Sequence, residues 1–220
     1  SKPSSLFFSF KTESDWDDIW NKWFSDVPEQ FDQVSKDRMA WGSKHEDSAA
    51  NVILDSIPNS HFFECPQLNI NEVYAVSPDG ALIVLGEDNV TPKWHWNVEI
   101  KCPGRYSKGG KENSAEEMKE YLTKNWKSPA SYYMTQIHQE MVGQNAEETL
   151  FVVWTPIMTR MWRIKFDQEY WDLCLEVFEN FRCKNVPFEV MFYKIDLLKR
   201  RSYGVANVPL WKEIHHKSCI

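Results

Sequence analysis

The segment Trp96–Cys102 alternates strictly: Val98, Ile100 and Cys102 fall on one side, Asn97, Glu99 and Lys101 on the other. Successive side chains of a strand point to opposite faces. This strand therefore carries one apolar face and one charged face, and Pro103-Gly104 ends it. It needs a core on one side and polar company on the other. Ala81–Leu85 is predicted as a strand, preceded by the turn signal Ser77-Pro78-Asp79-Gly80. Residues 62–76 read as two short strands around a turn at Asn69-Ile70-Asn71, the second being Val73–Val76. Leu150–Trp154 and Trp162–Phe166 complete the predicted strands.

Helical periodicity separates these strands. Behind an N-cap at Ser14, Trp16, Ile19, Trp20, Trp23 and Phe24 recur at helical spacing and read as core. A second helix is predicted from about Asp37 to Ile57, stopped by Pro58, with an inward face of Met39, Gly42, Glu46, Ala49 and Ile53. Ser114-Ala115-Glu116-Glu117 forms a capping box for a helix to about Trp126. Ser128-Pro129 opens another, ending near Gly143. Asp167 caps a helix whose core face is Tyr170, Leu173, Cys174, Val177, Phe178 and Phe181. The order predicts one α/β (α+β) domain over residues 1–220, a mixed central sheet flanked by helices.

A net charge of −7 excludes a uniformly basic nucleic-acid binder. The distribution is uneven, however. Residues 101–127 hold seven basic against four acidic groups, and residues 182–220 eight against three. Five scattered cysteines without a C-x-x-C pair imply no disulfide framework and no zinc ribbon. No apolar run is long enough to cross a bilayer, and the first residues do not read as a signal peptide, so an intracellular protein is expected.

Asp79 ends one strand, and Glu99 and Lys101 share a face of the next. A hairpin-like pairing brings two carboxylates and an ammonium together. Close carboxylates repel, and a hard divalent cation such as Mg²⁺ or Mn²⁺ removes the conflict. Glu46, a carboxylate in a small apolar stripe, supplies a third ligand. Lys101 beside such an ion orients or deprotonates an attacking water, its pKa lowered by the cation. These parts suit phosphodiester hydrolysis.

The pattern Pro78-Asp79, then Glu99-Ile100-Lys101, resembles the PD-(D/E)XK nuclease superfamily. Its flanks resemble the lambda-exonuclease branch, the YqaJ-type viral recombinases or alkaline exonucleases. Ala40-Trp41-Gly42-Ser43-Lys44-His45-Glu46 is similar to the branch's Trp-Gly-x-x-x-Glu helix, and Ser77–Gly80 to its second motif. Glu99–Pro103 is similar to its Glu-(hydrophobic)-Lys-Cys-Pro strand, and Tyr133–Met141 to its Tyr-x-x-Gln-(hydrophobic)-x-x-x-Met helix. The motif-bearing core spans about residues 38–166, with a helix and a basic tail in 167–220.

The resemblance implies a restriction-endonuclease-like core. It implies metal ligation by Glu46, Asp79, Glu99 and the carbonyl of Ile100, catalysis by Lys101, support from Gln136, and a phosphate contact at Ser77. The role of Tyr133 is open. The branch holds the terminal 5′ phosphate with an arginine of an N-terminal helix, but residues 1–37 contain none. Arg38, Lys44 and Ser77 are the groups at hand. Arg105, Lys108 and Lys111, followed by Lys119, Lys124 and Lys127, form a candidate phosphate track; Lys199-Arg200-Arg201 stays unassigned.

The implied activity is a Mg²⁺-dependent deoxyribonuclease acting on duplex DNA, most closely a 5′–3′ exonuclease in recombination or repair. A strand-annealing partner and a trimer are implied by resemblance alone. Two readings stand beside it: an endonuclease or RNA-cleaving relative, and a nuclease-dead DNA-binding or interaction module. Other candidates read as ordinary structure. Cys102 turns to the core, His45 and His138 are exposed or supporting, Glu140 reads as an exposed helix glutamate ahead of a place in the site one turn beyond Gln136, and His215-His216 as a disordered tail ahead of weak metal binding.

Overall fold

The computed structural model describes residues 11–24, 31–70, 75–103, 113–183 and 186–216, without the side chains of 22–24. In chain order the elements are α1 (Glu13–Phe24), α2 (Gln33–Ser56), β1 (Ser60–Phe63), β2 (Leu68–Asn69), β3 (Ala75–Val76), β4 (Gly80–Leu85) and β5 (Pro92–Lys101). Then follow α3 (Ala115–Asn125), a 3₁₀ turn (Ser131–Tyr133), α4 (Met134–Gln144), β6 (Glu148–Trp154), β7 (Met158–Lys165), α5 (Gln168–Cys183), α6 (Phe188–Ala206) and β8 (Lys212–His215).

Six strands form one mixed sheet in the order β1-β4-β5-β6-β7-β8, and β2 pairs β3 separately. Only β5 and β6 run parallel within the six-stranded sheet. That junction needs a long crossover, which α3 and α4 supply. β6, a nearly unbroken apolar run, is buried on both faces, as a central strand requires.

Two cores sandwich the sheet. On one side Ala49, Ile53 and Ile57 of α2 and its end pack on Leu82, Val98, Ile100, Leu150 and Val152. On the other, α1, α3, α4, α5 and α6 pack on Phe151, Val153, Trp162 and Ile164. The alternation read in β5 holds: Val98 and Ile100 enter the α2 core, and Cys102 packs partly buried against it. Burial pushes the Cys102 thiol up to about 12, so it stays protonated at neutral pH.

Several expectations are corrected. The cap of α1 is Thr12, not Ser14: its hydroxyl accepts from Asp15 N at 3.3 Å, and Asp15 Oδ2 accepts from Thr12 N at 2.6 Å. α2 starts four residues earlier than Asp37, because Asp32 accepts from Ser35 N. Its first turns do not pack inward, and Met39 is 47% exposed. Ser128-Pro129 does not cap α4; a 3₁₀ turn intervenes. His215-His216 does not lie in a disordered tail, and residues 186–216 are structured. α6 joins the larger core, and β8 closes the sheet on β7. There His216 meets Thr159 Oγ1 at 2.9 Å. Arg200 and Arg201 of the basic run pair with Asp196 and with Asp167 and Glu169. Asp167 caps α5 as expected, accepting from Tyr170 N at 2.9 Å.

His138 is not exposed but fully buried. Its Nδ1 donates to the Met134 carbonyl at 2.8 Å, and its Nε2 accepts from Asp167 N at 3.1 Å. Both bonds suit a neutral ring, and burial pulls its pKa down to about 4. The folded value lies below the unfolded one. The contribution to stability is therefore complete above pH ~6.5 and is lost as pH falls toward 4, on the order of 3 kcal/mol. Urea unfolding from pH 7 to 4 should show a steeper acid loss for wild type than for His138→Gln. Parallel curves would exclude His138 as the source.

Candidate active site

The register of β4 on β5 sets Gly80 opposite Val98. Asp79, one residue earlier, thus comes beside Glu99 and Ile100, and its Oδ2 accepts the Ile100 N–H at 2.6 Å. Gly80 is required here by packing: a Cβ would lie 2.3 Å from the Phe62 ring. A side chain at that position would displace the Phe62 ring and crowd the Phe63 carbonyl at 3.0 Å. Gly42 of the resembling helix motif has open space around it.

Glu99 is wholly buried on the α4 face of β5. Its Oε1 accepts from Gln136 Nε2 at 2.8 Å and pairs with Lys101 Nζ. Its Oε2 is buried and has no hydrogen-bond partner. The Lys101 ammonium also lies 5.1 Å from the Tyr133 ring, which gives that tyrosine a cation-holding position.

Behind this row stands a layer that sequence reasoning missed. Glu140, expected as an exposed glutamate, is wholly buried. Its Oε1 accepts from Gln136 Nε2 at 2.8 Å and its Oε2 from Asn97 Nδ2 at 3.2 Å; Asn97 also donates to Thr149 Oγ1 at 2.9 Å. One turn further, Gln144 donates to the Gly80 carbonyl at 3.0 Å. Gln136, Glu140 and Gln144 recur every fourth residue along α4, a polar stripe legible in the sequence. It was the partner strand, with Asn97 and Glu99 side by side, that gave the stripe its meaning.

Glu46 enters from α2, near the point where that helix meets the sheet, and lines a cleft of about 260 Å³ with Asp79, Ser77, Glu64 and Ile100. Ser77 is exposed on its rim. Arg38 and Lys44 are exposed on α2. Lys44, two residues before Glu46, leaves the helix on another side. Arg105, Lys108 and Lys111 lie outside the described residues. Lys119, Lys124 and Lys127 are exposed on and after α3. His45 lies between Trp41 and Trp154, its ring 4.0 Å and 5.0 Å from theirs.

The charges of the site act on one another. Burial raises the Glu46 carboxyl, with Lys101 opposing and Glu99 adding to the rise. Burial, and then the Glu99 charge, push Asp79 up to about 8. Glu140 is raised well above the carboxylate range by burial and by Glu99. Burial pulls Lys101 down, but Glu99 and Asp79 outweigh it and hold the ammonium charged above its ordinary value. Excess negative charge with one cation is what a second cation would relieve.

The donor types suit a hard divalent ion: Glu46, Asp79 and Ile100 line one cleft, and the Glu99 carboxylate keeps a buried oxygen without a partner. As the side chains stand, no three ligating groups among the described residues form a ready-made cage. Glu99 Oε1 is engaged by Lys101 and Gln136 instead.

No family model matches the chain, and no curated protein matches it by sequence. In structure it is similar to the alkaline exonuclease LHK-Exo from Laribacter hongkongensis. A crystal structure in complex with dAMP gives a TM-score of 0.51, with 16% identity over 93% of each chain. A second crystal structure of that exonuclease gives 0.50, again with 16% identity over 93% of each chain. Across nearly its whole length, the chain shares the fold of these alkaline-exonuclease structures.

Proposed function

We propose that the protein is a Mg²⁺- or Mn²⁺-dependent deoxyribonuclease that hydrolyses duplex DNA from an end, in the 5′–3′ direction. The observation that carries this reading is the grouping of Asp79, just before β4, with Glu99 and Lys101 of β5, Glu46 sharing a cleft with Asp79 and Gln136 fastened to Glu99. One of the similar structures holds dAMP, a deoxynucleotide, which agrees with it.

Glu46, Asp79, Glu99 and the Ile100 carbonyl would hold the ion, which supplies charge neutralisation for the scissile phosphate and acidifies bound water. Lys101 donates to the attacking water or a phosphate oxygen. Among the described residues it is the one ammonium whose charge is felt by all three carboxylates. Gln136 and Glu140 hold Glu99 in place from behind. Ser77, on the rim, takes a phosphate of the bound strand. Arg38, Lys44 and Ser77 are the candidates for holding a terminal phosphate, Lys44 from another side of α2 than Glu46. A lysine holds a phosphate as a point charge without the fork of an arginine, so end recognition is loose. Work beside a strand-annealing protein, and assembly as a trimer, belong to the same proposal.

The test uses linear 5′-phosphorylated duplex, linear 5′-hydroxyl duplex, closed circular duplex and RNA, each with Mg²⁺. Linear duplex should be degraded in preference to circles, with a modest advantage for 5′ phosphate. Equal cutting of circles and linear DNA would replace the exonuclease by an endonuclease. Absence of cleavage on all four substrates would leave a binding module.

A further inference from the structure

The far end of β5 carries a feature unrelated to the site. α2 ends at Ser56, and its core covers the sheet down to Trp96, which is 3% exposed. One step outward on the same face, Trp94 is 42% exposed, and Trp211, just before β8, is 39% exposed. The Trp94 and Trp96 rings stack at 5.7 Å and 14°. Trp211 meets Trp96 edge-on at 5.9 Å. Cations interleave with these rings. Arg163 lies 4.8 Å from Trp96 and 5.9 Å from Trp211, Lys93 4.4 Å from Trp94, and Lys212 5.6 Å from Trp211. A cleft of about 610 Å³ opens beside Trp94, rimmed also by Lys165.

Two carboxylates face the same cleft, Glu147 and Glu148. Glu148 is taken up by Arg163, whose Nε donates to it at 3.0 Å. Lys93, Arg163 and Lys165 line the cleft against those two acids, and Lys212 stands outside it at Trp211, its Nζ also donating to the Ser56 carbonyl, in a chain whose net charge is −7. Two half-exposed indoles with cations around them call for a ligand with both flat apolar faces and negative charge.

We propose that this shelf binds single-stranded DNA, stacking unpaired bases on Trp94 and Trp211 while Lys93, Lys165 and Lys212 take the phosphates. Stacking on exposed aromatic rings beside cations is how proteins hold single strands without reading sequence. A duplex does not meet the requirement, because its base faces are already stacked on one another. The shelf is separate from the candidate active site: Trp94 and Lys101 are seven residues apart on one strand, roughly 23 Å. It handles a strand that is unpaired, not the bond that is cut, and it does not rest on the nuclease reading.

The test is anisotropy of a labelled oligo-dT, and of a duplex of equal length, with the whole protein in EDTA. Trp94→Ala/Trp211→Ala should weaken oligo-dT binding roughly tenfold or more, while duplex binding and the rate on blunt duplex with Mg²⁺ stay within about twofold. Trp94→Phe/Trp211→Phe, which keeps ring faces, should retain most of the affinity and guards against misfolding of the alanine variant. Lys165→Gln should reduce the log–log salt slope for the single strand by roughly 0.7. Unchanged oligo-dT affinity in the alanine variant would overturn the proposal. So would an equal loss for single strand and duplex, or a dimer of the wild type that the variant abolishes. Cleavage without shelf binding, or binding without cleavage, tells the two readings apart.

Discussion

Asp79→Asn is expected to end DNA cleavage and, in the same molecule, to make the metal-free protein more stable. Asparagine keeps the shape and the acceptor for the Ile100 N–H but removes a charge that the site resists, since Asp79 is pushed up to about 8. A raised folded pKa gives a contribution to stability that is complete below the unfolded value near 4 and is lost as pH rises through about 8. At pH 8 the wild type thus carries a charging cost on the order of 5 kcal/mol that the variant does not. In EDTA at pH 8 the variant's Tm should stand roughly 10–20 °C higher. Below pH ~4, where Asp79 is protonated in the folded and the unfolded chain alike, the difference should nearly vanish. Cleavage should fall on the order of 10³-fold. A variant that cuts at wild-type rate removes Asp79 from the mechanism, and one that melts lower at pH 8 refutes the electrostatic account.

Lys101→Met should cost the same activity with the opposite sign in stability. Lys101 is the cation paired with the wholly buried Glu99, and its ammonium is held charged by Glu99 and Asp79. Methionine keeps the stem and takes away the charge. A buried carboxylate is then left with the Gln136 amide alone. Breaking one side of a buried pair costs on the order of 3 kcal/mol, read as a drop in the urea midpoint at pH 7–8. The double change Glu99→Gln/Lys101→Met should recover most of that loss without recovering cleavage. Failure of the double variant to recover stability would mean that Lys101 acts through packing on Tyr133 instead of through its charge.

Much of what depended on neighbours within a few residues was legible in the chain itself, although the caps at Thr12 and Asp32, equally local, were not. The alternation of Val98, Glu99, Ile100 and Lys101 is set by strand geometry, and it put the apolar members into the α2 core and the charged ones on the α4 face. The Ser114–Glu117 box and the Asp167 cap are bonds across three residues, and both formed. The α5 stripe of Tyr170, Cys174, Val177, Phe178 and Phe181 buried itself for the same reason.

Long-range pairing decided the rest. Glu140 has the local context of an exposed helix residue; only β5 and β6 lying across α4, with Asn97 and Thr149 in place, make it a buried link in the site. His215 and His216 look like a tail until β8 finds β7, which no local signal announces. Met39 and Ile53 sit on one predicted stripe of one helix, yet the sheet reaches only the second of them. Trp94 and Trp96 share a strand face, and the point where α2 stops leaves one exposed and the other buried. Periodicity assigns a side chain to a face, but what covers that face is settled by segments far away in sequence, and that is where burial, charge and chemistry were determined.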